Sequence, residues 1–287
     1  MSLEVFKVID PGLGATVQDQ GRRGWQRFGI PPSGVLDDHA AGWANKLLEN
    51  PAGAPVLELL LQSARLSVLR DCWIAVTGAD TESNISPWRA VRVEQGTSIE
   101  FRHNRSGVWI YLAVEGGFEA DSLFGSASAL PRAQLGKILA TGDILQRRDV
   151  RSFQFKTGVG GVSAAWSERR TYDSPPPIRV YAGPQWDLIA ESARQNFFEQ
   201  SWKVGPQSDR VGYRLVGTPL PAGTAHIISE PVRPGTIQLP DNGLPIVTMR
   251  DGPTVGGYPK LGWVHPADLS WLAQSRPGQT IRFQLVT

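Results

Sequence analysis

Short runs of β-favouring residues, separated by turn-forming residues, make up most of this chain and restrict what it can fold into. β-branched and aromatic residues favour strands, whereas Gly, Pro, Asn and Asp end them. The chain has 31 Gly and 22 Pro among its 287 residues. The β-prone runs are residues 57–61, 65–69, 73–77, 90–93, 98–101, 109–114, 178–181, 237–239, 246–249 and 280–286. We therefore predict a mainly β protein.

Three places share a Gly turn followed at once by an alternating strand, as in the closing strand of a β-barrel. They are residues 94–101, 140–145 and 276–283. The pattern is too short to establish an internal repeat, but it favours barrel-like units.

Three short helices are predicted between the strands. The first is capped by Asp37 and ends before Pro51, since Asp is a favoured N-cap and Pro stops a helix. Apolar residues recur at helical spacing within residues 186–199, and Pro266 suits the first turn of a third helix.

Residues 167–177, SERRTYDSPPP, change in composition from charged to proline-rich, with Tyr172 as their one apolar anchor. Three consecutive prolines form a stiff, extended spacer. We therefore predict a β-rich unit at residues 1–166, a linker at 167–177 and a second β-rich unit at 178–287.

Charge and cysteine usage exclude several classes of partner. The formal net charge is +2, with acidic and basic residues interspersed, which gives no nucleic-acid footprint. Cys72 is the only cysteine, so no intrachain disulfide can form, which fits a reducing compartment. No stretch approaches the roughly 18 apolar residues of a membrane span. We expect a cytoplasmic protein that binds neither nucleic acid nor membrane.

Familiar catalytic signatures are missing from the sequence. The four histidines, His39, His103, His226 and His265, lack the close spacing of metal ligands, so no metal site is expected. No G-x-x-x-x-G-K-[ST] segment is present, and the chain therefore has no P-loop of its own.

Polar residues gather instead in three turn-rich stretches. Arg offers a rigid fork for carboxylate or phosphate groups, and a nearby Asp can orient it or accept a proton. A Gly-Gly pair lets a backbone amide approach a ligand closely. The first cluster is Gln18, Asp19, Arg22, Asp37 and Asn45; the second is Asp209, Arg210, Tyr213 and Arg214; the third is Gln238, Thr254, Gly256, Gly257, Tyr258 and Lys260.

Each cluster also has a plainer interpretation. The first consists of ordinary turn residues, Asp209 and Arg210 suit a local ion pair, and residues 256–259 suit a tight turn. Three such clusters on one β scaffold favour a shared cleft over three unrelated surface features.

The same stretches resemble one known family. The motifs are T-V-Q-D-x-G-R-x-G at residues 16–24, G-I-P-x-S-G-x-x-D at 29–37 and A-N-x-L at 44–47, and the match continues at 208–215 and 254–260. They look like the KipA family, also called the C subunit of 5-oxoprolinase, allophanate hydrolase subunit 2 or the second half of a biotin-dependent carboxyltransferase domain. The resemblance covers essentially the whole chain in order.

This resemblance implies two β-barrel-like units of cyclophilin-like type with a few short helices. It also implies an ATP-dependent 5-oxoprolinase that opens 5-oxo-L-proline to L-glutamate. Its partners would be a KipI-like protein (the B subunit) and a LamB/YcsF-like protein (the A subunit), with ATP shared among the subunits.

The resemblance also implies roles for single residues. Arg210 and Arg214 would bind a carboxylate or phosphate. The implied catalytic residues are Asp19, Asp37, Asp209 and Arg210, with Asp19 or Asp37 handling protons. The implied substrate-binding residues are Gln18, Arg22, Asn45, Tyr213, Arg214, Gln238, Thr254, Gly256, Gly257, Tyr258 and Lys260.

Two other functions stay open within the same family. A carboxyltransferase component that acts on urea or a related amide would use carboxybiotin, which would arrive on another chain because no A-M-K-M segment is present here. A non-enzymatic regulator of the KipA type would bind or relieve an inhibitor of a sensor kinase. The lack of fused biotin carboxylase or carrier domains favours the 5-oxoprolinase.

One segment departs from the family pattern. Relatives usually have a G-S-R-S-T-like segment, whereas this chain has Gly-Ser-Ala-Ser-Ala at residues 125–129. The Arg and the Thr are both lost, so any ligand contacts made by those side chains are expected to differ here.

Overall fold

Strands form most of the regular structure. The computed structural model describes residues 2–61, 63–149, 162–221 and 227–286. Among these described residues, none of the helices has the length and apolar composition of a membrane span.

The chain divides into two units between Thr171 and Tyr172, inside the stretch predicted as a linker. The segment Arg23–Pro32 groups with the second unit, although the sequence-based division placed it in the first. This segment contains no strand whose pattern could have assigned it, and its one regular element is the 3₁₀ turn Gln26–Phe28.

The sheet of the first unit curls into a nearly closed barrel. Its strands are β1 (Ser2–Pro11), β2 (Ala15–Gln18), β3 (Val56–Leu60), β4 (Ala64–Val68), β5 (Cys72–Ser83), β6 (Ala90–Val93), β7 (Ser98–Val114), β8 (Phe118–Glu119) and β9 (Ile144–Arg148). Their order is β2-β3-β7-β4-β1-β9-β8, with β5 joined to β6 and β7. The register of β1 shifts between Glu4 and Phe6 and between Val8 and Asp10. Such bulges bend a strand, which allows β1 to pair with both β4 and β9.

The apolar run at 109–114 is buried on both faces of β7. Ile110 and Leu112 point into the barrel core. The opposite face is covered by helix α1 (Asp38–Leu47), which packs against β5 and β7. A strand covered on both sides needs an apolar residue at nearly every position, which explains why this run does not alternate.

Helix α1 begins where the sequence predicts it. The side chain of Asp37 is the N-cap and accepts a hydrogen bond from the Ala40 amide at 3.0 Å. The Thr77 hydroxyl donates to the Ala40 carbonyl at 2.7 Å and attaches the helix to β5. The predicted helix and its cap are confirmed.

The sheet of the second unit is closed by its last few residues. Its strands are β10 (Ile178–Ala182), β11 (Trp202–Val204), β12 (Gly212–Val216), β14 (Thr236–Gln238), β15 (Ile246–Thr248), β17 (Lys260–Val264), β18 (Thr280–Ile281) and β19 (Phe283–Leu285), and a separate ribbon pairs β13 (Glu230–Pro231) with β16 (Val255–Gly256). The order is β18-β11-β12-β15-β14-β17-β10-β19. Only Arg282 separates β18 from β19 in the chain, but the two strands lie at opposite ends of this order. Strand β18 pairs with β11, and β19 pairs with β10. One extended segment therefore joins the first strand of the sheet to the last.

The second unit also contains two short helices, α2 (Glu191–Glu199) and α3 (Leu269–Ala273). The helix predicted within 186–199 is interrupted, because Ile189 is extended and buried after the 3₁₀ turn Trp186–Leu188. Helix α3 follows a 3₁₀ turn that starts at Pro266, as predicted.

Two further 3₁₀ turns lie in the first unit, at Pro131–Ala133 and Trp166–Glu168. Two nearly closed, barrel-like sheets with few helices confirm the predicted fold class.

Replacing Gly78 by Ala tests how closely β5 packs against β7. Its φ is +90°, and a Cβ there would collide with the Trp109 carbonyl oxygen and lie 3.1 Å from Tyr111 Cδ2. Gly96 is a matched control, with φ +87° and nothing within 4 Å of the position its Cβ would take. We expect Gly96→Ala to lower the free energy of unfolding by about 1–2 kcal/mol through backbone strain. Gly78→Ala should cost about 1–3 kcal/mol more, because a paired backbone carbonyl cannot move aside. Urea unfolding followed by circular dichroism measures both, and equal losses would contradict this packing.

Candidate functional site

Asp19 is tied to the short segment that departs from the family pattern. Its Oδ1 accepts hydrogen bonds from the Ser126 hydroxyl at 2.5 Å, the Ser128 hydroxyl at 2.6 Å and the Gly21 amide at 2.8 Å. Its Oδ2 accepts from the Ala127 amide at 2.7 Å. The carboxylate therefore anchors the segment to the end of β2.

These four hydrogen bonds determine the ionisation of Asp19. Partial burial by itself raises the pKa of this carboxyl, but the bonds from two hydroxyls and two amides outweigh burial and hold the pKa below its usual value. A carboxylate that stays ionised and engaged is poorly suited to exchange protons with a substrate. The geometry favours an anchoring role for Asp19 over the proton-handling role that the resemblance implied.

Gln18 and Arg22 are buried beside this anchor. The Gln18 side-chain amide donates to the Ala129 carbonyl at 3.1 Å. Arg22 is 1% exposed, and its guanidinium donates to the Ser128 carbonyl. The structure thus brings Gln18, Asp19 and Arg22 together around one segment of backbone.

The other two members of the first cluster belong to helix α1. The amide of Asp37 donates to the Tyr111 hydroxyl at 2.8 Å, while its carboxylate caps the helix. Asn45 is buried near the helix end, where it donates to the Ala54 carbonyl at 2.9 Å and accepts from the Asn50 side chain at 3.0 Å. Asn45 therefore fixes the turn that follows α1.

A buried polar network next to Asp37 was missed by sequence reasoning. The Tyr111 hydroxyl donates to Glu58 Oε2 at 2.8 Å, and the Leu36 amide donates to the same oxygen at 2.9 Å. Burial, followed by the charges of Glu58 and Asp37, raises the pKa of Tyr111 well above its usual value, so its hydroxyl remains protonated. A single Glu inside the apolar strand β3 was the available signal, because a buried carboxylate needs donors.

In the second unit, Arg210 pairs with Asp251 rather than with its neighbour Asp209. Arg210 Nε lies 2.7 Å from Asp251 Oδ2, and its Nη2 lies 3.0 Å from Oδ1. The side chains are 15% and 5% exposed. Two parallel bonds fix the plane of the guanidinium, so Arg210 is rigidly oriented.

The rest of the second cluster does not join this ion pair. Asp209 is exposed, and its carboxylate accepts hydrogen bonds from two backbone amides of its own turn. The Tyr213 hydroxyl is buried and donates to the Ala273 carbonyl at 2.6 Å. The Arg214 side chain is exposed on β12.

Lys260, Glu230, Gly256 and Gln238 of the second unit are linked in turn by one hydrogen bond, one strand pairing, one close approach and a second strand pairing. We name this set of four residues the Lys260 ring. Lys260 is 2% exposed, and its Nζ donates to Glu230 Oε2 at 2.9 Å. Glu230 lies opposite Gly256 in the ribbon of β13 and β16. A Cβ on Gly256 would lie 2.9 Å from Gln238 Oε1. Gln238 in turn lies opposite Lys260 in the pairing of β14 with β17.

Two further polar side chains support the ring. Gln185 donates to Glu230 Oε1 at 2.7 Å and accepts from the Lys260 amide at 3.1 Å. The Gln238 side-chain amide donates to the Thr248 hydroxyl at 2.8 Å. The predicted residues Gln238, Gly256 and Lys260 are therefore brought together, whereas Glu230, Gln185 and Thr248 were missed because no nearby motif marks them.

The remaining predicted residues of the third cluster flank the ring. Thr254 is buried, and its carbonyl accepts from the Val232 amide at 2.8 Å. Gly257 follows the ribbon directly and lies near the Ser229 hydroxyl. Tyr258 is 46% exposed. Whether the clusters of the two units line one shared cleft stays a prediction.

Two cationic side chains of these clusters lie against carboxylates. Arg210 and Lys260 are each neutralised by a carboxylate. Helix N-termini normally attract phosphate, but acidic residues occupy the starts of all three α-helices found in the described residues. These residues are Asp37 and Asp38 for α1, Glu191 for α2 and Asp268 for α3.

The described part of the chain contains no group of three His, Cys, Asp or Glu residues that could hold a metal ion. His226, one of the four histidines, lies outside the described residues.

The chain is similar in sequence to known proteins over nearly its whole length. The family model described as "Carboxyltransferase domain, subdomain A and B" matches residues 28–285. The chain is 34% identical over 294 residues to the C subunit of 5-oxoprolinase from Escherichia coli (strain K12), an alignment that takes in 97% of this chain and 90% of that protein.

Solved structures show the same fold within longer chains. The crystal structure of TTHA0988 in space group P212121 superposes with a TM-score of 0.89 and 34% identity, covering 98% of this chain and 55% of that one. The Kluyveromyces lactis urea carboxylase structure gives a TM-score of 0.87 and 27% identity, covering 100% of this chain and 28% of the other. The chain thus spans little more than half of TTHA0988 and under a third of the urea carboxylase.

Replacing Asp19 by Asn tests the anchor. We expect Asp19→Asn to lower the free energy of unfolding at neutral pH by about 2 kcal/mol, because charge-assisted hydrogen bonds are lost. The folded-state pKa is depressed, so the contribution of the carboxylate is present above the ordinary value of 3.8 and disappears as the pH falls through the folded-state pKa. The stability difference between wild type and variant should therefore shrink on acidification.

Thermal and urea unfolding at neutral pH and at about pH 2 measure this difference. Asp121→Asn is the control, since Asp121 is exposed, and it should change stability by less than about 0.5 kcal/mol. A wild-type advantage that is the same at both pH values would show that Asp19 does not act as an ionised anchor.

Proposed function

Because the chain belongs to the carboxyltransferase domain, subdomain A and B family, we propose that it is a subunit of an ATP-dependent 5-oxoprolinase, which converts 5-oxo-L-proline to L-glutamate. The observation that carries this proposal is the 34% identity to a C subunit of 5-oxoprolinase across 90% of that protein. The match to urea carboxylase takes in only 28% of the longer chain.

The proposed enzyme is heteromeric, as the word "subunit" in the name of the relative implies. The partners proposed here are a KipI-like protein and a LamB/YcsF-like protein. We assign the nucleotide to those partners. The acidic helix starts and the neutralised Arg210 and Lys260 of this chain give a polyphosphate little to bind.

Opening the lactam adds water across the ring C–N bond, with oxygen bonding to the carbonyl carbon and a proton going to the nitrogen. When bound by the complex, ATP would supply activation of the carbonyl oxygen by phosphorylation. The substrate carries one carboxylate and one lactam carbonyl. A rigid guanidinium and a buried ammonium, each already paired, can donate to these oxygens without assembling a large excess of positive charge.

Within this chain we propose roles that the contacts support. Lys260 and Arg210 bind and orient the substrate, and Gln238 and Gly256 shape the site next to Lys260. Asp209 is the candidate for proton transfer, because it is exposed beside Arg210 and both backbone amides of its turn donate to Oδ1 alone, whereas both oxygens of Asp19 are engaged. Asp19 and Asp37 hold backbone amides and are proposed as supports for the fold of the first unit.

A second candidate function is a carboxyltransferase step on urea or a related amide. The observation in its favour is the match to the K. lactis urea carboxylase over 100% of this chain with a TM-score of 0.87. In that case the carboxyl group would be delivered by biotin on another chain. Activity that depends on added carboxybiotin would favour this function, whereas ATP-dependent glutamate release without biotin favours the 5-oxoprolinase.

The reconstituted complex tests both the function and the role of Lys260. We expect the chain, co-purified with the two partner subunits, to release glutamate from 5-oxo-L-proline only when ATP is present. Lys260→Met should lower kcat/KM by about 100-fold, since a charge-assisted bond worth roughly 2–3 kcal/mol is removed. The matched control is Lys203→Met, because Lys203 is exposed on β11 of the same unit, and it should leave kcat/KM unchanged.

Circular dichroism of both variants checks that they fold. No glutamate release with all subunits and ATP present would refute the proposed function. Full activity of a folded Lys260→Met variant would remove the Lys260 ring from the site.

A further inference from the structure

The ammonium group of Lys260 has more N–H donors than its one hydrogen bond to Glu230 uses. A lysine carries three N–H donors, and within the described ranges Nζ donates only to Glu230 Oε2. Lys260 is 2% exposed, so bulk water has little access to the other two donors. Buried donors without acceptors are costly, and an oxygen atom of a ligand would remove that cost.

Both ends of Lys260 are held by the same pair of side chains. The backbone amide of Lys260 donates to Gln185 Oε1 at 3.1 Å, and Gln185 Nε2 donates to Glu230 Oε1 at 2.7 Å. Glu230 Oε2 then accepts from Lys260 Nζ at 2.9 Å. These three bonds close a loop that fixes the ammonium group relative to the start of β17.

Stability alone gives little reason for this arrangement. Buried ion pairs contribute little net stability, because desolvation offsets the attraction, and an apolar side chain is often as good. The side chain of Glu230 is 36% exposed while that of Lys260 is 2% exposed. The pair therefore lies where the buried ammonium meets the surface of the unit, and Glu230 belongs to the ribbon whose second strand ends at Gly256.

We infer that Glu230, held by Gln185, is a positioning residue that directs the Lys260 ammonium toward a carboxylate or carbonyl oxygen of the substrate. Glu230 does not touch the substrate in this arrangement; it acts through Lys260. The inference rests on the proposed function and deepens it by naming the chemical group that Lys260 binds and the residue that orients Lys260.

A double-mutant cycle in the reconstituted complex tests this coupling. Glu230→Gln keeps the shape of the side chain and removes its charge. We expect it to raise KM for 5-oxo-L-proline by about tenfold while kcat stays within about threefold, because binding is lost equally in the ground and transition states. Lys260→Met should raise KM by about 100-fold, and adding Glu230→Gln to Lys260→Met should change KM by less than about threefold.

Independent, multiplying effects of the two substitutions would overturn the inference, since Glu230 would then act without Lys260. An unchanged KM in folded Glu230→Gln would overturn it as well. A pair that only stabilises the fold would lower the unfolding temperature of each single variant and leave KM unaltered.

A second measurement uses the full chain alone and does not depend on activity. Wild type and Glu230→Gln are treated with an amine-acetylating succinimidyl ester, and acetylation of each lysine is followed by mass spectrometry. We expect Lys260 to react about tenfold faster in Glu230→Gln, because loss of the ion pair releases the amine from its buried position. Lys203 should react equally in both proteins.

Equal acetylation rates at Lys260 in the two proteins would overturn the holding role of Glu230. If the wild-type complex shows no activity on 5-oxo-L-proline, the proposed function fails, and the acetylation rates then decide the holding role on their own.

Discussion

Buried charges in each unit of this protein are held by partners from distant parts of the chain, and the local structure around each charge depends on that pairing. Asp251 orients Arg210, Glu230 holds Lys260, and hydroxyls and amides of one short segment surround Asp19. An ionised group without such partners would not remain buried in a barrel of this size. The pairing also gives the second unit two rigidly held donors, Arg210 and Lys260, each neutralised by a carboxylate.

The local features of the fold could be predicted from the sequence because their causes are local. Short β-prone runs between turns indicate a β-rich fold, and Asp37 followed by an apolar periodicity indicates a capped helix. The interruption after Trp186–Leu188 was missed because burial of Ile189, a tertiary effect, overrides helical spacing there. The placement of Arg23–Pro32 in the second unit had no local signal.

The candidate site was predicted only in part, and for a physical reason. The polar clusters in the sequence predicted Arg210 and Lys260 as candidate site residues. Their carboxylate partners could not be predicted in this way, because they lie 41 and 30 residues away in sequence. Asp209 looked like the partner of Arg210, yet its carboxylate is used by backbone amides of its own turn. In the altered segment, both Ser residues and the backbone groups of Ala127 and Ala129 still serve Asp19 and Gln18. The Arg and the Thr of the family pattern are absent from this segment, but its serines and backbone anchor it to Asp19 at the end of β2.

We propose that this chain binds the small substrate and that its partner subunits bind the nucleotide. Isothermal titration calorimetry of the assembled complex tests it most directly, with 5-oxo-L-proline and a non-hydrolysable ATP analogue titrated separately into complexes containing wild type or Lys260→Met. We expect the substitution to weaken 5-oxo-L-proline binding by at least about tenfold and to leave the affinity for the nucleotide analogue unchanged. Unchanged substrate affinity, or loss of nucleotide binding in its place, would contradict this claim.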